Sequence, residues 1–128
     1  MCYLERMSHA ADGAGVPLDR EGAEEVAGLM HVLSARSRVL ILGALRGGPL
    51  PVGELAAAVG MQGSAVSQQL RVLRLVGLVV GERRGRHVHY ALHDPHVATL
   101  LDEAASHVAH RRLGLRDPVA PAAAGRVA

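Results

Sequence analysis

The sequence has almost no aromatic residues and a single cysteine, and both shortages restrict what it can form. Its 128 residues include no Trp, no Phe and two Tyr, while 49% are hydrophobic. Any core must therefore be built from Leu, Val, Ala, Ile and Met, and such a core is small. A dimer that buries more apolar surface is expected for that reason. Cys2 alone supports neither a disulfide framework nor a cysteine-based metal site.

Several other features are also missing. No apolar run reaches the ~18 residues that a membrane span needs, and residues 1–15 lack the apolar central stretch of a signal peptide. We therefore expect a cytoplasmic protein, and the length indicates one domain. The sequence has no Gly-rich phosphate loop, no Gly-x-Ser-x-Gly elbow and no His-Glu-x-x-His helix. No enzyme is predicted.

Lysine is absent too, because all 14 basic residues are arginine. Their distribution is uneven. Residues 36–92 hold eight arginines and two glutamates, a net charge of +6, whereas residues 1–35 are acidic. A basic middle segment is the electrostatic footprint of a protein that binds a polyanion such as DNA.

The hydrophobic spacing predicts a helical domain over residues 18–113, preceded by a mobile segment (1–17) and followed by a disordered tail (114–128). Asp19 is the expected N-cap of the first helix, and Ser64 that of the fourth. The second and third helices are predicted over residues 35–46 and 52–59. Gly47-Gly48-Pro49 and Gly60 stop them.

A β-hairpin is predicted after the fourth helix. Leu78-Val79-Val80 forms its first strand, Arg84-Gly85 its turn, and residues 86–92 alternate as a half-buried second strand. Asp94-Pro95 opens a last helix that runs to about Leu113, with Asp94 at the N-cap. The fold class is therefore mainly α with a small β-hairpin.

A short helix, a tight turn and a helix with a polar N-terminal end are typical of a DNA-binding helix-turn-helix. Gln pairs bidentately with adenine and Arg with guanine, and an arginine-rich hairpin tip suits phosphate or minor-groove contact. An exposed Ser/Gln face or an Arg-rich turn alone is most often plain solvated surface, whereas the two in series favour a DNA-reading unit. The predicted DNA-binding residues are Ser64, Ser67, Gln68 and Arg71 on the helix, and Arg83, Arg84 and Arg86 on the hairpin tip.

The segment Ser64-Ala-Val-Ser-Gln-Gln-Leu-Arg-Val-Leu-Arg-Leu-Val-Gly-Leu-Val-Val80 resembles the recognition-helix signature of ArsR/SmtB-family repressors. Residues 33–42 are similar to the start of that family's second helix, and the likeness covers about residues 20–113. Three segments, 48–52, 69–74 and 94–103, are similar to the family's nickel/cobalt sensors. The resemblance implies a winged helix-turn-helix protein that dimerises through its terminal helices. It also implies a repressor that binds operator DNA and dissociates from it when metal binds.

Four side chains of metal-ligand type lie on the predicted last helix: Asp94, His96, His107 and His110. His96 and His107 share a helix face to within roughly 20°, yet lie about 16 Å apart along the axis. One helix cannot bring them to one ion, since metal–nitrogen bonds are about 2 Å long. An antiparallel partner helix would place His107 and His110 beside the partner's Asp94 and His96, giving two equivalent sites per dimer. The same spacing occurs in the family's last-helix metal site.

The donor set suits Zn(II), Ni(II) or Co(II), because it contains nitrogen and oxygen and no thiolate. Four ligands satisfy tetrahedral zinc, whereas nickel and cobalt often take six. If translation starts at Met7 and the Met is removed, Ser8-His9 supplies a free amine and an imidazole, as in similar nickel sensors. His9 is therefore an additional candidate ligand. Those sensors carry further histidines beyond the position of His110, and this sequence has none there, which weakens nickel relative to zinc.

We predict a repressor whose apo dimer binds operator DNA and is released by Ni(II) or Co(II). The alternatives are a zinc-responsive repressor of the same family and a winged-helix repressor with a non-metal inducer. A metal-buffering protein without DNA binding would leave the arginines of the hairpin tip and the Ser/Gln helix face unexplained.

Overall fold

A computed structural model of the chain describes residues 18–114 and residue 116. The predicted segment 1–17, with His9, lies outside the described residues, as does most of the predicted tail 114–128. The described residues group into two compact units that divide between His93 and Asp94. The first unit holds four helices and a sheet, and the second holds the last helix.

The first unit begins with helices α1 (Arg20–Val32) and α2 (Arg36–Leu45). Asp19 caps α1 as predicted: its Oδ1 accepts a hydrogen bond from the Gly22 N–H at 2.7 Å, which satisfies one of the free donors of the first turn. α2 ends before Gly48, whose φ of +129° is a conformation that side chains rarely adopt. The predicted stop is therefore confirmed.

The helix-turn-helix consists of α3 (Val52–Val59) and α4 (Gly63–Leu75). Gly60 ends α3 in the left-handed conformation, at a φ of +67°. The prediction that Ser64 is the N-cap of α4 is wrong, because the extended residue at the N-cap is Gln62 and Gly63 is already helical. The Gln62 carbonyl accepts the first intrahelical hydrogen bond, from the Val66 N–H at 3.0 Å. Ser64 therefore lies inside the first turn.

The core of the first unit is aliphatic, as the shortage of aromatic residues predicts. α4 contributes Val66, Leu70 and Leu73, which are at most 1% exposed and follow one another at the spacing of a single helix face. Removing a large side chain from such a core costs about 2–5 kcal/mol of unfolding free energy. The other buried apolar residues of this unit are Ile41, Leu42, Leu45, Leu55, Ala56, Leu78 and Val79.

A three-stranded antiparallel sheet completes the first unit, in the order β1-β3-β2. The predicted hairpin is present as β2 (Val79–Arg84) and β3 (His87–Leu92), with Gly85 in the turn at a φ of +62°. β2 is longer than predicted, because pairing continues as far as Arg84 opposite His87. β1 (Leu50–Pro51) was not predicted, since two residues are too few to show a strand period.

The second unit is the helix α5 (Pro95–Arg112), 18 residues long. Asp94 is its N-cap, as predicted: Oδ1 accepts hydrogen bonds from the His96 N–H at 2.8 Å and the Val97 N–H at 3.3 Å. α5 ends at the predicted place, with Leu113 at the C-cap. No single helix within residues 18–114 is long and apolar enough to cross a membrane; α1 and α2 would suffice only as a pair, and they are bent by 89°.

Arg38 on α2 connects two other helices. Its Nε donates a hydrogen bond to Gln69 Oε1 on α4 at 2.8 Å, and its Nη1 donates to the Val32 carbonyl at 3.1 Å. Val32 is the last residue of α1, where backbone carbonyls lack partners within the helix. One half-buried guanidinium therefore ties the end of α1 to the second helix of the helix-turn-helix.

Candidate DNA-binding surface and metal-ligating helix

The exposed face of α4 carries the predicted base-reading side chains. It lies opposite the buried face formed by Val66, Leu70 and Leu73, so the core fixes which residues point outward. Gln69, between the two faces, is half-buried and occupied by its hydrogen bond with Arg38. The structure leaves all four predicted residues exposed: Ser64, Ser67, Gln68 and Arg71.

The hairpin of β2 and β3 forms a wing whose three predicted arginines, Arg83, Arg84 and Arg86, are all exposed. Arg84 Nη2 lies 3.4 Å from Glu82 Oε2, in an ion pair whose side chains are both more than half exposed. Such a pair is worth little, so it does not commit Arg84 to Glu82. The guanidinium groups of Arg83 and Arg86 make no hydrogen bond or ion pair with another residue of the described part of the chain.

A groove between α4 and β3 adds residues that the sequence analysis missed. Its volume is about 390 Å³, and its lining includes Arg74 and Tyr90. Arg74 follows Arg71 by three residues, so the helical period alone would have placed both on one face. Tyr90 could not have been found in this way, because its position depends on the strand pairing. The full lining is Ser67, Arg71, Arg74, Leu75 and Tyr90.

The N-terminal end of α5 brings two of the predicted metal ligands together. His96 Nδ1 lies 3.3 Å from Asp94 Oδ1, and the His96 side chain is 96% exposed. Both cap hydrogen bonds of Asp94 are also accepted by Oδ1. The cap and the contact with His96 therefore use the same carboxylate oxygen.

The other two predicted ligands lie toward the far end of α5. His107 and His110 are three residues apart, which places them on neighbouring positions of one helix face, and both are exposed. About 16 Å of helix separates His96 from His107. Consistent with that distance, residues 18–114 contain no group of three or more His, Cys, Asp or Glu side chains that could hold a metal ion within one chain.

Comparisons with known proteins agree on a family. Residues 36–80 match the model of the "Bacterial regulatory protein, arsR family". The chain is 54% identical to the HTH-type transcriptional regulator NmtR of Mycobacterium tuberculosis over 114 residues, which cover 87% of this chain and 95% of NmtR.

Solved structures give the same result. The solution structure of apo-NmtR matches with a TM-score of 0.67 at 55% identity, covering 83% of this chain and 89% of that one. A homodimeric winged helix-turn-helix DNA-binding domain, Mb0332 from Mycobacterium bovis, matches with a TM-score of 0.68 at 28% identity, covering 83% and 99%. These relatives are DNA-binding regulators, so the predictions of fold, family and absence of enzymatic function are confirmed. The chain belongs to the arsR family of bacterial regulatory proteins and is a winged helix-turn-helix transcriptional regulator.

Proposed function

We propose that the chain is a metal-sensing repressor whose dimer binds operator DNA in the absence of metal and is released by Ni(II) or Co(II). The observation that carries the proposal is the arrangement of α5. The predicted ligands form one pair near each end of the helix, Asp94 with His96 and His107 with His110. Most residues of this helix are exposed in the single chain. A regulator of this kind acts where the bacterial DNA is, in the cytoplasm.

The DNA-binding half of the proposal is supported by the exposed faces of the first unit. α4 enters the major groove with its N-terminal end first, so that Ser64, Ser67 and Gln68 face base edges. The wing arginines Arg83, Arg84 and Arg86 contact the backbone or the minor groove beside it. Arg71, further along α4, lies on the same exposed face.

Exposure along α5 supports a second copy of the chain as the partner. Every residue from Asp102 to Arg112 is exposed, including Val108 at 44%. In proteins, most helical stability comes from tertiary packing of one helix face, so a partner that covers α5 would stabilise it. A twofold axis beside α5 would cover it with its own antiparallel copy. The homodimeric state of Mb0332 agrees with this arrangement.

The donor set fits a divalent transition metal. Pairing two antiparallel copies of α5 brings Asp94 and His96 of one protomer to His107 and His110 of the other, a site of three imidazoles and one carboxylate. Bound there, the metal would supply a crosslink between the two protomers. Nitrogen and oxygen donors without thiolate suit Zn(II), Ni(II) and Co(II).

Nickel or cobalt is favoured by the similarity to NmtR and to the nickel/cobalt sensors of the family. The NmtR solution structure is of the apo form, which implies a liganded form of that protein. His9, outside the described residues, would add donors for the six positions that nickel and cobalt often take. Zinc is the alternative, because four ligands satisfy its tetrahedral preference.

Release follows from linkage between the two sites. If metal binds one conformation of the dimer better and the operator binds another, each ligand weakens the other, by about 5–150-fold for a typical coupling. The effect is reciprocal for binding free energies: operator DNA lowers the metal affinity by the same factor.

The test is fluorescence anisotropy of a labelled duplex from the promoter of the protein's own gene, titrated with Ni(II), Co(II) and Zn(II). We expect wild type to be released by Ni(II) and Co(II). His107→Ala should bind the duplex as wild type does and should not be released. His31→Ala is the matched control, because His31 is exposed on α1 outside the ligand set; it should respond as wild type.

Each contrary result identifies a different error. Release of the His107→Ala protein by metal would mean that the ligand assignment is wrong. Release of wild type by Zn(II) alone would establish the zinc alternative. Failure of all three metals with intact DNA binding would favour a non-metal inducer, and failure of wild type to bind the duplex would overturn the proposal.

A further inference from the structure

The groove between α4 and β3 has the shape and chemistry of an anion-binding site. Ser67, Arg71 and Arg74 follow one another at spacings of four and three residues, so they form one stripe along α4. Tyr90 forms the opposite wall, and Leu75 adds an apolar surface that is 82% exposed. The groove of about 390 Å³ therefore combines two guanidinium groups, a hydroxyl and apolar contact area.

The two guanidinium groups carry uncompensated charge. Neither the Arg71 nor the Arg74 guanidinium makes a hydrogen bond or ion pair with another residue in the ranges that the structure covers. Like charges three residues apart on a helix repel each other. A bound anion would remove that repulsion, and guanidinium forks match phosphate oxygens bidentately.

Gly81 on β2 lies beside the groove. It lies opposite Tyr90 in the sheet, and a Cβ at this position would lie 3.8 Å from Arg74 Cζ, 3.5 Å from Tyr90 Cε1 and 3.2 Å from Val88 Cγ1. The distances to Arg74 and Tyr90 are ordinary van der Waals distances, and only the distance to Val88 is tighter. The Arg74 guanidinium therefore lies beside the backbone of the wing strand.

Distance along α4 indicates which part of DNA reaches the groove. At 1.5 Å per residue, Arg71 lies about 10 Å and Arg74 about 15 Å behind Ser64 along the helix axis. A recognition helix contacts base edges with its N-terminal residues. Residues this far along the axis would lie beyond those bases and nearer the phosphates that flank the major groove, which is about 12 Å wide.

We infer that this groove binds one phosphodiester of the DNA backbone, through Arg71, Arg74 and the hydroxyl of Ser67, with Leu75 and Tyr90 against the adjoining sugar. The inference rests on the proposed DNA-binding function and adds two residues, Arg74 and Tyr90. It also assigns Arg71 to the backbone rather than to guanine. This contact would hold α4 and the wing at the same phosphate of one DNA strand.

The test pairs single-charge changes in the protein with single-charge changes in the DNA. Binding of wild type, Arg74→Ala and Arg20→Ala is measured on the promoter duplex and on random-sequence duplex, at several salt concentrations. The promoter duplex is also prepared with a neutral methylphosphonate at one phosphate at a time. Arg20→Ala is the matched control, since it removes one exposed arginine on α1 outside the groove.

We expect Arg74→Ala to weaken binding by roughly tenfold or more, equally on both duplexes, and to reduce the slope of log affinity against log salt by about 1. One methylphosphonate position should weaken wild type and Arg20→Ala strongly and Arg74→Ala much less, because Arg71 and Ser67 still face that phosphate in the variant. Arg74→Lys should recover most of the affinity, because Lys keeps the charge. Unaltered melting temperatures of the variants would show that each is folded.

Three results would overturn the inference. The first is additive effects of Arg74→Ala and methylphosphonate at every position. The second is loss of affinity on the promoter duplex alone, which would mean that the arginine reads a base. The third is unchanged DNA binding together with Arg74-dependent binding of inorganic phosphate, which would make the groove a site for a free anion. Absence of DNA binding by wild type would instead overturn the proposed function itself.

Discussion

The helices α4 and α5 would carry the two halves of the proposed function, and they bury their side chains to different extents. α4 buries Val66, Leu70 and Leu73 almost completely and exposes a polar face on the other side. α5 buries only Val97, and every residue from Asp102 to Arg112 is exposed. One chain therefore covers the apolar face of α4 but leaves the C-terminal half of α5 exposed.

Under the proposed function, this difference would allow DNA binding and metal binding to be coupled. A helix whose apolar face is buried in the core of the same chain keeps a fixed position and shape, which suits the recognition of base edges. A helix covered by a second protomer depends on how the two protomers are arranged. A ligand that bridges two copies of such a helix can therefore change the arrangement of the dimer without changing the internal structure of α4. The predictions below test this division, from the largest expected effect to the smallest.

Leu70→Ala on α4 should lower the unfolding free energy by about 2–5 kcal/mol, because it empties a site that is 1% exposed. Val108→Ala on α5 is the comparison. It should leave the intrinsic stability of the chain nearly unchanged and instead weaken dimerisation. Denaturant unfolding over a range of protein concentrations separates the two effects. A concentration-independent loss for Val108→Ala as large as that for Leu70→Ala would contradict the division.

Arg38→Met should cost about 1–3 kcal/mol, because it removes two hydrogen bonds of a charged donor and leaves Gln69 without its partner. The pairwise energy is measured with a double-mutant cycle between Arg38→Met and Gln69→Ala. A cycle energy of about 1 kcal/mol is expected. Additive effects would show that the Arg38–Gln69 bond does not stabilise α4.

Asp94→Ala should destabilise α5 by about 1 kcal/mol, since the cap at its N-terminus is lost. Asp94→Asn keeps the cap but removes the charge, so the helix should retain its stability. Both variants should bind metal less tightly. Circular dichroism during thermal unfolding and metal titration by calorimetry measure the two properties separately. Wild-type metal affinity in both variants would remove Asp94 from the ligand set.

Ser64→Ala should change the unfolding free energy by less than about 0.5 kcal/mol, because the N-cap of α4 is Gln62 and Ser64 is exposed. A capping serine would cost about 1 kcal/mol when removed. Affinity for the promoter duplex should nevertheless fall. A stability loss of the size expected for a cap would show that Ser64 satisfies the first turn in solution.

Much of the fold could be predicted because local patterns and the core agree. The spacing of Val66, Leu70 and Leu73 identifies both the buried and the exposed face of α4, and Asp19 and Asp94 are caps in sequence and in structure. The prediction for Ser64 was wrong because it followed capping chemistry, whereas the backbone enters the helix at Gln62, which makes no side-chain cap hydrogen bond. β1 is too short for any periodicity.

The candidate sites could be predicted only where one element carries them. The ligand spacing on α5 and the polar stripe on α4 follow from helical geometry alone. Tyr90, Gly81 and the Arg38–Gln69 bond depend on contacts between elements distant in sequence. His89 shows the same limit: it is half-buried, with Nδ1 shielded from solvent, which depends on packing between elements and not on the alternation of its own strand.

The short strand β1 also affects how the protein behaves in a crowded cell. It lies at one edge of the sheet, where Pro51 has no N–H to offer to an incoming strand. The opposite edge, β2, ends in Glu82, Arg83 and Arg84, whose charges resist pairing with another chain. Neither edge is a good template for strand addition. The sheet is thereby protected from edge-to-edge aggregation.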